Sequence, residues 1–173
     1  MAAPTDEIAR VLTRLCDCWT RLDLMAITEL WDLDDPEIVI MPQEIEQPLV
    51  GEKGLRNYLT RSQARLHAAS MRFWNLKVRS LAPDLAGALY EMHWNGQIGA
   101  VARPLGSDTR VTAIFRRRKD QWRFTQYIEA PVTISVRVQQ AYLDAVDTDF
   151  LKRIGWENRK NERRWPDGTP LTD

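Results

Sequence analysis

Cysteine and histidine are scarce in this 173-residue chain, with two of each. Cys16 and Cys18 lie two apart in a stretch of helical periodicity, so their side chains leave on different faces and cannot easily bridge. They read as reduced thiols packed as small hydrophobes. His67 and His93 are far apart in sequence and offer no metal-ligand spacing, so neither a metal nor a cofactor is expected. Basic and acidic residues balance at 24 each. The basic surplus that nucleic acid or an anionic membrane usually draws is missing, and neither is expected as a partner. No apolar run approaches the roughly 18 residues of a membrane span. The N-terminal MAAPTDEIAR carries acids and lacks the apolar segment of a secretory signal, so a cytoplasmic location is expected. GxGxxG, P-loop, CxxC and GxSxG patterns are also absent. Nucleotide, zinc and serine-hydrolase chemistry therefore have no motif support.

What is present is enough for one domain with a real core. Apolar residues make up 44%, and seven tryptophans offer large apolar area with one hydrogen-bond donor each, as pockets and interfaces need. Ile8, Val11, Leu12, Leu15 and Trp19 recur at helical spacing behind Thr5, Asp6 and Glu7, which read as a helix start. A second helical piece runs from Asp23 to Trp31. It is stopped by DLDDP, where Asp32, Asp34 and Asp35 are expected to cap a turn and face water. IVIM (38–41) is a short apolar strand between prolines, PQEIEQPLVGEKG a loop, and Leu55 to His67 a third helix, with His67 complementing its dipole.

From Ser70 the period changes from 3.6 to 2. Phe73, Asn75, Lys77 and Arg79 alternate with Trp74, Leu76, Val78 and Ser80, and Pro83-Asp84 makes the turn. Leu85 to Gln97 follows, with Ala86, Ala88, Tyr90, Met92 and Trp94 on one face and Glu91, His93 and Asn95 on the other. Arg110–Arg117 and Trp122–Ala130 form a hairpin whose RRRKD tip reads as solvated. After Pro131 the residues fit helix or strand over 132–140. The polar end carries Trp156 and Trp165 and reads as an arm that packs on something. Helices early and strands late give an α+β fold, with the helices on one face of a curved antiparallel sheet.

ELWDLDDPEIVIMP, PLVGEKGLRNYL and VTAIFRRRKDQWRFTQYIEAP, taken in that order, resemble the nuclear-transport-factor-2-like superfamily, in its SnoaL-like and ketosteroid-isomerase-like branches. The resemblance covers residues 5 to 131. It implies a cone: a strongly bent sheet wrapped around about three N-terminal helices, with a pocket at the open end. Residues 1–131 would be the cone domain and 132–173 a C-terminal helical extension and polar arm of the same structural unit. The resemblance also implies a homodimer through the outer sheet face. It places the carboxylate base of the isomerases at Met41 and their oxyanion tyrosine near Leu15, and neither residue can serve.

Fold alone does not decide function, so the site is read residue by residue. On the last strand Arg123, Thr125, Tyr127 and Glu129 share a face. By comparison with relatives carrying a charged residue there, that face lines the pocket, leaving Trp122, Phe124 and Ile128 to outer packing or the dimer. Glu129 is then the acid/base candidate and Tyr127 its hydrogen-bonding wall; the alternative is a salt bridge from Glu129 to Arg110 or Arg137. Trp31, Tyr90, Met92, Trp94 and Thr125 are the candidate ligand contacts. Glu91 and His93 point the same way on a strand and can pair. Two functional readings follow. One is a cofactor-independent isomerase, cyclase, dehydratase or hydrolase acting on a hydrophobic oxygenated metabolite. The other is a non-catalytic ligand-binding or assembly module using the cone and its arm.

Overall fold

α1 (Thr5–Thr20) exists because Ile8, Leu12, Leu15 and Cys18 make one buried stripe, while Asp6 and Glu7 face the positive end of its dipole. Pro4 holds the cap position, so Thr5 is the first helical residue and not the cap. The computed structural model describes residues 4–99 and 102–132. The chain divides between Thr133 and Ile134. The expectations for the C-terminal helix and arm therefore lie outside the described residues.

A 3-10 helix (Leu24–Leu30) follows, then β1 (Val39–Met41), β2 (Leu49–Val50) and α2 (Gly51–Arg65). α2 starts four residues before Leu55, because Gly51 carries the chain from strand to helix. Its φ is +72°, its N–H donates to Ile38 O at 2.9 Å, and a Cβ there would stand 3.1 Å from Pro36 O. α2 also ends earlier than expected, at Arg65. His67 is thus an exposed strand residue and does not complement the helix dipole.

Four long strands complete the unit: β3 (Leu66–Ala82), β4 (Leu85–Ile98), β5 (Leu105–Arg118) and β6 (Gln121–Pro131). The six-stranded sheet has the order β2-β1-β6-β5-β4-β3. β1 runs parallel to β6 and the other pairs are antiparallel. The sheet is curved and unclosed, and with the three helical segments it makes an α+β fold, as the residue pattern indicated. Among the described residues, no helix is long and apolar enough to cross a membrane.

Two bulges set which side chains face inward. On β6 the pairing runs Phe115↔Phe124 and then Ile114↔Gln126, leaving Thr125 as the extra residue. A bulge shifts the two-residue alternation by one. Trp122 and Phe124 therefore point into the core, at 7% and 0% exposure, and beyond the bulge Tyr127 does too. This corrects the reading of Trp122 and Phe124 as outward residues. Ile128 keeps to the other face and is half-buried. On β3 the register shifts between Trp74 and Lys77, with Asn75 at φ +53°. Met71 and Phe73 pack on the core before the bulge, and Leu76 and Val78 after it.

Aromatic contacts hold the β5–β6 core. Phe124 lies 4.4 Å from Phe115, 5.3 Å from Trp31 and 5.9 Å from Tyr127, centroid to centroid. Beside them Asp32, expected in water, is fully buried. Its Oδ2 accepts from Arg118 Nε at 2.7 Å, and Arg116 Nη1 lies 3.7 Å away. Arg116 also donates to Asp35 at 3.1 Å. Only part of the RRRK run is a solvated tip; two of its arginines reach back to anchor the 32–35 turn.

Candidate active site

A cavity of about 210 Å³ is lined by residues of α1, the 42–48 loop, α2 and strands β3, β4 and β6. A smaller space of about 30 Å³ lies between Leu15, Trp31, Ile40, Leu59 and Phe124. Glu129, Trp19 and Tyr58 line both. Glu129 thus stands at the junction of the two. It is there because Ile40 and Met41 of β1 pair with Tyr127 and Ile128 of β6, which brings the 42–48 loop beside the end of β6.

Two donors hold the Glu129 carboxylate. The Tyr127 hydroxyl donates to Oε1 at 2.5 Å, and the Gln43 backbone N–H donates to Oε2 at 3.3 Å. Burial raises its pKa above the usual carboxylate value. These hydrogen bonds pull it back down, and the nearby Glu44 pushes it up. Each oxygen keeps a lone pair for a ligand. Among the described residues no cation pairs with Glu129; Arg110 donates to Pro131 O at 3.1 Å instead, and Arg137 lies outside them.

Three phenols surround the carboxylate. Tyr127, Tyr90 and Tyr58 all have pKa values well above the usual phenol range, chiefly through burial and then through neighbouring carboxylates. They stay protonated. Tyr58 donates to Glu44 at 2.9 Å. The buried Tyr90 hydroxyl lies close enough to Tyr127 and Glu129 to feel both, yet makes no hydrogen bond of ordinary geometry.

The expected contacts are only partly brought together. Trp94 lines the larger cavity and Trp31 the smaller. Met92 sits behind the site, its Sδ 3.6 Å from the Tyr127 hydroxyl. Tyr90 packs edge-on against Phe73 at 6.1 Å. Thr125 is on the bulge, donates to Ile114 O at 3.3 Å, and lines neither cavity. Glu91 does not pair with His93: it accepts from Trp74 Nε1 and Asn75 Nδ2, while His93 Nδ1 faces Asp108 at 2.7 Å. Met41 and Leu15 carry no proton-accepting group, and of the two carboxylates lining the cavity Glu129 is the more buried.

Residues that sequence reasoning missed are Glu44, Ser62 and, as wall residues, Trp19 and Tyr58. The last two are apolar residues of α1 and α2 with nothing local to mark them as cavity wall. Glu44 gave no signal, since one acid in a polar loop is unremarkable until the loop is placed. Among the described residues no group of three or more His, Cys, Asp or Glu side chains could hold a metal.

Comparison with known proteins bears on the family and the fold. The family model of the SnoaL-like domain matches residues 8–133. No curated protein sequence matches the chain. Among solved structures it is similar to a protein of Novosphingobium aromaticivorans provisionally named a scytalone dehydratase, at 8% identity and TM-score 0.67 over 74% of this chain and 83% of that one. It is also similar to a nuclear-transport-factor-2-like superfamily protein of Salmonella enterica serovar Typhimurium, at 14% identity and TM-score 0.65, covering 76% and 94%. A hexachlorocyclohexane dehydrochlorinase (LinA, type 2) gives 11% identity and TM-score 0.63, covering 75% and 86%. Identities this low speak for the fold alone, but the family match spans most of the chain. The protein belongs to the SnoaL-like domain family.

Proposed function

We propose that this protein binds a small, hydrophobic, oxygenated molecule at the open end of its cone and moves a proton on it without a cofactor, with Glu129 as the acid/base. The observation that carries the reading is Glu129 itself: a half-buried carboxylate at the junction of both cavities, fixed by Tyr127 and Gln43. Desolvation raises its proton affinity toward the range a general base needs near neutral pH. The C–H bond of the ligand breaks, its proton goes to a Glu129 oxygen, and the electron pair moves into an adjacent carbonyl or forms C=C as hydroxide leaves. Protonated Glu129 then returns the proton to carbon in an isomerisation, or gives it to the departing hydroxide, which leaves as water. The relatives named as dehydratase and dehydrochlorinase support an elimination of this kind. At about 210 Å³ the cavity is below the roughly 300–1,000 Å³ of drug-sized sites, which favours one ring with a short substituent.

The test is hydrogen–deuterium exchange at the acidic carbon of 2-indanone in D2O, followed by NMR. Wild-type protein should accelerate exchange, and Glu129→Gln should lower the acceleration by roughly 100-fold or more. Exchange no faster than buffer, or equal in both proteins, refutes the reading. Met41 and Leu15, standing where the resemblance places a base and an oxyanion donor, favour a second reading as a binder. Binding of 2-indanone without exchange would establish that one. A homodimer through the outer sheet face is part of the same proposal. Leu89, 49% exposed on that face, is an apolar residue it would cover.

A further inference from the structure

We propose that the ligand carries a basic nitrogen, and that Glu44 holds it as an ammonium at the mouth of the cavity while Glu129 faces the ligand's hydrophobic part. This rests on the cavity reading above and adds the charge of what enters. Two carboxylates line one space of about 210 Å³, and they differ in kind. Glu129 is half-buried and borders the smaller space as well; Glu44 is exposed and borders only the larger one. Tyr58 donates to Glu44 Oε1 at 2.9 Å, which fixes that carboxylate. Glu44 Oε2 has no partner among the described residues and is open to a second donor.

The remaining wall suits a cation too. Trp19, Tyr58 and Trp94 present aromatic rings around the same space, and an ammonium is attracted to such rings. Trp19 and Tyr58 are set edge-to-face at 6.4 Å, so the two rings meet at a corner. Arg65 is the lining residue of opposite sign. It is exposed and lies in the last turn of α2, where a cation complements the helix dipole. Two carboxylates, with no group of three or more His, Cys, Asp or Glu side chains among the described residues, are too few for a metal ion. They are enough for an ammonium. The division of labour also leaves Glu129 free for chemistry, because the charge is met by the outer carboxylate.

The experiment compares three probes of nearly equal size, 2-phenylethylamine, 2-phenylethanol and phenylacetate, by calorimetric titration of the full chain at neutral pH. The amine should bind at least ten-fold tighter than the alcohol, and phenylacetate weakest. In Glu44→Gln, whose amide oxygen can still accept from Tyr58, the amine-to-alcohol ratio should fall below three-fold while alcohol binding is unchanged. Added salt should weaken the amine more than the alcohol. Equal binding of amine and alcohol, or a preference for phenylacetate, overturns the inference and leaves the cavity reading standing. A preference for the amine that survives in Glu44→Gln overturns the assignment to Glu44. Failure of all three probes to bind overturns the inference and the small-ligand reading together.

Discussion

Truncating Phe124 to alanine tests whether the β6 bulge turns that residue inward. A regular strand carrying Tyr127 inside would put Phe124 on the outer face, where its loss would change stability by no more than about 0.5 kcal/mol. The structure makes it fully buried, with aromatic neighbours at 4.4, 5.3 and 5.9 Å. Deleting a buried phenyl typically costs about 3–5 kcal/mol. The upper half of that range applies here, because Phe115 and Tyr127 sit on paired strands that cannot collapse into the void. In a chain of 173 residues each kcal/mol shifts Tm by roughly 2–4 °C, so Phe124→Ala should lower Tm by about 8–20 °C. Phe124→Leu, which keeps most of the volume, should lose about 1–1.5 kcal/mol. The assay is urea and thermal unfolding followed by circular dichroism, with Trp122→Ala alongside. A loss below about 1 kcal/mol for Phe124→Ala, smaller than the burial term alone, would refute the inward placement and with it the phase shift at Thr125.

Glu129 makes stability depend on pH. Its folded pKa is raised by burial, so between the ordinary carboxylate value and the raised one the folded state holds more protons than the unfolded chain, and stability falls as pH rises through that window. Glu129→Gln should remove this slope and be at least as stable at neutral pH, read from unfolding midpoints at several pH values. Tyr127→Phe removes a donor to the charged carboxylate and should move the Glu129 titration further up, visible by carboxyl 13C NMR. Lys119 and Asp120 both sit at positive φ in the two-residue β5–β6 turn. Replacing them with Asn-Gly should add about 0.5–1 kcal/mol, since that pair suits such a turn, measured by urea unfolding. Leu89→Glu should convert a dimer to monomer in sedimentation without lowering secondary structure; a chain that sediments identically with either residue contradicts the outer-face interface.

Much of the fold was legible because its signals are local. Ile8, Leu12 and Leu15 mark α1 by spacing alone, Pro83-Asp84 marks a hairpin, and the 3.6-to-2 change of period near Ser70 separates helices from sheet. The bulges were less visible, though not silent. Trp122, Phe124 and Tyr127 break the two-residue rhythm between 124 and 127, and Phe73 and Leu76 break it in β3; a phase break among large apolar residues signals a bulge as readily as a change of face. Asp32 could not be read as buried, because its burial depends on arginines more than 80 residues away. The same holds for the site. Glu129 and Tyr127 stood out as a carboxylate and a phenol ending an aromatic strand. Glu44 and the Gln43 N–H reach them only through the parallel pairing of β1 with β6, a long-range contact with no local trace.

The bulge at Thr125 also decides where this strand tolerates change in length. Removing Thr125 would leave every cross-strand partner in place, Phe115 with Phe124 and Ile114 with Gln126, and the side chains beyond it would face as before. Removing Ile128 instead would turn Glu129 away from the cavity. A lineage could therefore gain or lose the kink at one point in a single step while keeping its chemistry, whereas an indel three residues further on would erase it. Sequence drift along β6 is thus channelled: the closed end and the open end of the strand can each vary in length at the joint between them, and almost nowhere else.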